Sequence, residues 1–203
     1  MNFYLFYYSV LLSSLIPVIF IGVQQRITSK QTRLRSVFFL FILARFLTDL
    51  GNIISEKVIS NSLPVFHFSI LIQFVLILEL FYTLHRYKFR KEIFLILALV
   101  FFILDLTVTS SILQNNHLST MYTYIVISGF GIRYLFNITG DYFQKIIFCS
   151  ISSYTIAFTF LLFFEENILK SKELNNYLLD FMVMLSLILN LLFSYAICLK
   201  PKN

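Results

Sequence analysis

The sequence predicts an all-α protein, a polytopic bundle of seven transmembrane helices with its N-terminus outside and its C-terminus in the cytoplasm. Three observations predict it. Of 203 residues, 59% are hydrophobic and only 13% charged; seven apolar runs of spanning length follow one another; and the basic residues between them gather on one side. A soluble domain carries roughly 25% charged residues, and soluble packing has no room for this much apolar surface. Divided by the roughly 20 residues that cross a bilayer, the length holds seven crossings and little else. With three Pro, five Gly and no Pro-rich or Ser/Gly-rich linker, residues 1–203 read as a single integral membrane domain.

The runs fall at about 3–23, 37–54, 63–84, 93–113, 118–137, 146–164 and 177–199. The first is as hydrophobic as a signal peptide but lacks a basic leading region and a small-residue cleavage site, so it is expected to remain as a helix, kinked at Pro17. The second carries Arg45, Asp49, Asn52 and Glu56 at i, i+4, i+7 and i+11, one helical face that must turn inward. The third holds His67 and Glu79, the fourth Asp105, and the fifth Gly129, Gly131 and Arg133. Ser150, Ser153 and Ala157 give the sixth a small face suited to close helix approach, and the seventh holds Asp180 and Asn190. Trp is absent, so tyrosine supplies the interfacial belt. Cys149 and Cys198 lie inside apolar runs and read as packing residues.

Arg26, Lys30, Arg33, Arg35, Arg86, Lys88, Arg90, Lys91, Lys145, Lys200 and Lys202 all fall on one side of this arrangement, against Lys57, Lys170 and Lys172 on the other. Lysine and arginine mark the loops that stay in the cytoplasm during insertion, which sets the N-out, C-in orientation. The net charge of +6 therefore reports topology and contact with anionic lipid. Direct nucleic-acid binding is not expected, because no basic stripe with interleaved aromatics stands outside the apolar runs.

A charge at bilayer depth costs roughly 2.5–3.5 kcal/mol on insertion scales, so each should face inward and find a partner. A rise of about 1.5 Å per residue puts Asp49 and Asp105 roughly 18 Å above the cytoplasmic ends of their helices, with His67 and Asp180 entering from outside. Arg45, Asp49, His67, Asp105 and Asp180 are thus expected to line an outer polar cavity, the alternative being that each only caps a buried hydrogen-bond network or reaches the interface. In an inner layer, Glu79, Arg133 and Asn190 are expected to form a clasp, with Glu79 and Arg133 as an interhelical ion pair.

The three histidines stand at separate helix ends, and there is no phosphate loop or nucleophile elbow, so neither a metal nor a cofactor is expected and no catalytic residue is assigned. No lysine lies inside the seventh run, which argues against a retinal Schiff base.

Several segments resemble a family of small seven-helix membrane proteins of Bacteroidetes-type bacteria. These are Ile16-Pro17-Val18-Ile19-Phe20-Ile21-Gly22 before a basic linker, Asp49, and Leu63-Pro64-Val65-Phe66-His67 followed by Gln73-Phe74 and Phe81-Tyr82. Asn190-Leu191-Leu192 before Tyr195-Ala196 completes the set. In that family a carboxylate often stands where this chain has Gln73. The resemblance implies the topology and a bacterial inner-membrane location; the family carries no assigned activity.

The function these readings favour is a sensory or regulatory accessory, with the outer cavity coupled through the Glu79 layer to basic loops that engage a cytoplasmic protein. The loops are too short to hold a catalytic domain of their own, so a partner is required. The alternatives are a cation or small-solute transporter, a membrane accessory of a phage-defence system such as a type VI-B CRISPR locus, and an intramembrane enzyme.

Overall fold

The computed structural model describes residues 3–25, 33–59, 63–85, 90–109, 117–167 and 172–199. Among them are seven α-helices and no strand: α1 (Phe3–Gln25), α2 (Arg33–Ile59), α3 (Leu63–His85), α4 (Lys91–Leu104), α5 (His117–Phe136), α6 (Tyr142–Asn167) and α7 (Lys172–Cys198). A π-helical segment, Asp105–Thr109, continues α4. Four helical stretches are long and apolar enough to cross a membrane: Arg33–Val58, Val65–Leu84, Tyr142–Leu162 and Asp180–Cys198. A shorter apolar stretch, Tyr8–Gly22, lies in α1, which runs through Pro17 as helix.

The helices outrun the apolar runs because their ends are closed by polar chemistry that hydropathy does not register. The sixth run begins near Ile146, yet α6 begins at Tyr142. Asp141 and Gln144 form a reciprocal capping box there: the Gln144 N–H donates to Asp141 Oδ1 (2.8 Å) and the Asp141 N–H to Gln144 Oε1 (3.0 Å). Gly140 precedes it with φ +99°, a backbone setting that disfavours any side chain.

Large apolar side chains stand on the surface, and polar ones are buried beside an apolar core. Phe136 is 84% exposed and Val58 75%, while Asp105, Ser152 and Asn190 are at most 1% exposed. Helix α5 shows the reason. Its Ser119, Thr120, Thr123 and Ser128 are buried, and Leu118, Ile125, Ile132 and Phe136 face outward. Its inward hydroxyls are also what dilute its hydropathy. Several buried hydroxyls are satisfied on their own helices: Ser14 donates to Leu11 O, Ser150 to Ile146 O and Ser194 to Asn190 O, and the half-buried Thr48 does the same to Ala44 O. Hydrocarbon offers no hydrogen bonds, and this internal satisfaction with an apolar exterior suits hydrocarbon as the solvent.

Two compact units divide the chain, Gln25–Ile127 and Met1–Gln24 with Ser128–Asn203. In the first, α2 and α3 run antiparallel, with Gly51 against Val65 near one end and Arg33 meeting Glu79 near the other. Helix α4 returns along α3, so that Lys91 reaches Glu79 and Phe102 packs on Phe68 (ring centroids 5.7 Å). In the second, α6 and α7 pack along each other and Tyr134 of α5 lies against Phe148 of α6 (5.3 Å). Gly131 lets α5 and α6 approach closely, because a Cβ there would stand 3.0 Å from the Ser152 Cα. Gly129, two residues earlier on α5, faces open space. Gly131→Ala is therefore expected to lose about 1–2 kcal/mol through overpacking. Gly129→Ala should be neutral or gain up to about 1 kcal/mol from helix propensity; thermal unfolding of the two variants in detergent checks the contrast.

Candidate functional site

The first unit holds two polar layers. At its basic end Glu79, half-buried on α3, accepts ion-paired hydrogen bonds on both oxygens, from Arg33 at the start of α2 and from Lys91 at the start of α4. A cation in a first helical turn opposes the helix dipole, whereas a carboxylate beside a helix N-terminus is favoured. Glu79 therefore offsets two unfavourable termini at once. Helix α4 starts with Arg90 as its N-cap and no side-chain cap, and its first turn also carries Glu92. The sequence pattern led to the expectation that Glu79 pairs with Arg133. Instead its partners are Arg33 and Lys91, and Arg133 stands exposed on α5. Both cations sit at helix starts close to the level of Glu79, whereas hydropathy alone leaves them in loops.

Of the other expected basic residues, Arg90 is exposed and Arg35 half-buried. Arg26, Lys30, Arg86 and Lys88 lie outside the described residues.

The second layer lies twelve residues away along α3, roughly 18 Å on the helical rise. Gly51 against Val65, and Phe102 against Phe68, fix a register that brings Asp49, His67 and Asp105 to one level. Arg45 is 8% and His67 2% exposed; Asp49, Asn52 and Glu56 are half-buried, so the polar stripe of α2 does turn inward. Thr48 on the same helix accepts a long hydrogen bond from Gln73 Nε2 (3.4 Å). The Oδ1 of Asn52 is buried and accepts no hydrogen bond among the described residues.

Asp105 is wholly buried and structurally committed, accepting the N–H groups of Leu118 (3.3 Å) and Ser119 (2.7 Å) in the first turn of α5. A helix leaves its first four N–H groups unsatisfied, and here a side chain thirteen and fourteen positions earlier supplies the acceptor. Its placement coincides with the π segment that starts at Asp105, and such segments shift the register of a helix at one point. Asp180, grouped with this layer by depth, is in the other unit and exposed. It prolongs the outward stripe of Phe181, Met184 and Ile188 on α7.

Asn190, expected in the inner clasp, is 1% exposed and donates from Nδ2 to Ser13 Oγ of α1 (2.8 Å). The Ser13 hydroxyl in turn donates to Val10 O. No partner for Asn190 Oδ1 occurs among the described residues. Asn190→Leu removes a bond of a kind that averages about 0.6 kcal/mol in membrane proteins, together with a buried orphan acceptor. The expected change in unfolding free energy is below about 1 kcal/mol, checked by thermal unfolding beside Ser13→Ala.

No family model matches the chain, and no curated protein or solved structure matches it either. Function must therefore come from the residues themselves. Among the described residues no cluster of three His, Cys, Asp or Glu side chains has the arrangement of a metal site. What the arrangement offers is mechanical: one carboxylate ties the ends of three helices at the basic end, and the same helices carry a layer of charged and imidazole groups about 18 Å beyond it.

Proposed function

We propose that the chain is a seven-span protein of the bacterial inner membrane, N-out and C-in, that acts as a regulatory accessory to a cytoplasmic protein. The observation that carries this reading is the shared carboxylate of Glu79, bound at once by Arg33 of α2 and Lys91 of α4. A perturbation at Arg45, Asp49 or His67 acts on α2 and α3, and those helices meet again at Glu79, beside the basic residues that the partner contacts. Helices tied together at their ends are suitable two-state elements, because packed interfaces switch between discrete arrangements and do not deform continuously. A solute path has less support, since Asp105 is occupied in capping α5 and His67 is fully enclosed.

Affinity purification in mild detergent tests the reading. It should recover a stoichiometric cytoplasmic protein with the wild type and lose it with Arg33→Gln plus Arg90→Gln. A reporter fused after Lys202 should be active only in the cytoplasm. Recovery of no partner, together with solute flux into proteoliposomes that Asp49→Asn abolishes, would replace this reading by transport.

A further inference from the structure

A trough of about 350 Å³ lies between α6 and α7, lined by Ile146, Cys149, Ser150, Ser153, Leu185 and Leu192 among others. Small side chains on α6 face branched ones on α7, so the trough exists because α6 lacks bulk there. Ser150 turns its hydroxyl to Ile146 O, which leaves the wall apolar. The two helices are antiparallel, with Tyr154 Oη 3.3 Å from Ser186 Oγ.

That contact fixes the level of the trough's end. One turn before Cys149, on the same face as Cys149 and Ser153, stands the exposed Lys145; opposite it on α7, at the same level, is Tyr195, 52% exposed. Tyr142, 62% exposed, is one turn further out. One end of the trough therefore carries a cation between two phenols.

We propose that this trough seats one acyl chain of an anionic phospholipid whose phosphate is met by Lys145. The length from Ile146 to Tyr154 is about 12 Å, within the roughly 15 Å of a hydrocarbon leaflet. Spread over that length, a volume of about 350 Å³ describes a narrow, elongated trough. The Lys145 cation at one end complements an anionic headgroup, and tyrosines are the usual residents of that interface. The proposal rests on α6 and α7 crossing the bilayer and not on the accessory role.

Native mass spectrometry of the delipidated full-length chain, titrated with phosphatidylglycerol or with phosphatidylcholine of the same tails, tests it. The wild type should retain one phosphatidylglycerol in preference to phosphatidylcholine, and millimolar inorganic phosphate should not displace it. Lys145→Gln should lower phosphatidylglycerol retention about fivefold, the factor that corresponds to roughly 1 kcal/mol per lysine beside an anionic surface. Ser153→Leu should fill the trough and lower retention of both lipids. Should Ser153→Leu fail to fold, Lys145→Gln alone decides, because its side chain is exposed. Equal retention of both lipids by the wild type, retention unchanged in Lys145→Gln, displacement by free phosphate, or a dimer that Ser153→Leu dissociates without altering lipid retention would each overturn the proposal.

Discussion

Asp105→Ala is expected to destabilise the protein by about 3 kcal/mol, the largest loss among single substitutions in the polar layers. Both carboxylate oxygens accept backbone N–H groups of the first turn of α5, and the side chain is wholly buried. Hydrogen bonds to a charged group are each worth roughly 1.5–3 kcal/mol, and removing the acceptor leaves the buried Ser119 N–H and the part-buried Leu118 N–H unmet. Asp105→Asn keeps one acceptor oxygen, so about half of the loss should return. Unfolding in detergent micelles, followed by helicity and by protease sensitivity of α5, distinguishes the three proteins. If alanine there changed stability by less than about 0.5 kcal/mol, the cap would be incidental and Asp105 would be available to a ligand.

The helical architecture was legible because its signal is redundant: each apolar run is long, and the charges within the runs are few. Helix ends were less legible. The Asp141-x-x-Gln144 signature stood in the sequence, but hydropathy counts both residues as loop, so α6 was expected four residues too late. The inward turn of Arg45 and Asn190 followed from the cost of burying polar groups, and both are buried. Pairings did not follow, because helical rise gives depth but not azimuth. Depth placed Glu79 with Arg133 and put Asp180 at the mouth of the expected cavity; azimuth sends Asp180 outward and gives Glu79 to Arg33 and Lys91. One sequence cue could have found the second pair: a carboxylate three-quarters of the way along a helix that ends in a basic loop has cations at the starts of both neighbouring helices within reach. The trough between α6 and α7 was hidden in the same small residues, Ser150 and Ser153, that were expected to close the gap between helices.

Glu79→Leu should remove the second largest increment, roughly 2–3 kcal/mol, and its interest lies in how that loss divides. The Arg33 arm is 74% exposed and contributes little, about 0.5 kcal/mol, as exposed pairs do. The Lys91 arm is more enclosed, with 33% of that side chain exposed, and carries more. The carboxylate's influence on the N-termini of α2 and α4 adds about 0.3–1 kcal/mol at each. Arg33→Gln should therefore be nearly silent in thermal unfolding, and Lys91→Gln intermediate. The exchange Glu79→Lys with Lys91→Glu should recover the α3–α4 pair but not the α2 arm, because a lysine at 79 would then repel Arg33. Under the accessory reading, partner capture follows the integrity of the three-helix tie and not total stability. Arg33→Gln, almost neutral for folding, should then weaken capture nearly as much as Glu79→Leu, whereas Gly131→Ala, which is costlier for folding, should leave it intact. If capture instead tracked unfolding free energy across all these variants, Glu79 would be an anchor for helix ends and nothing more.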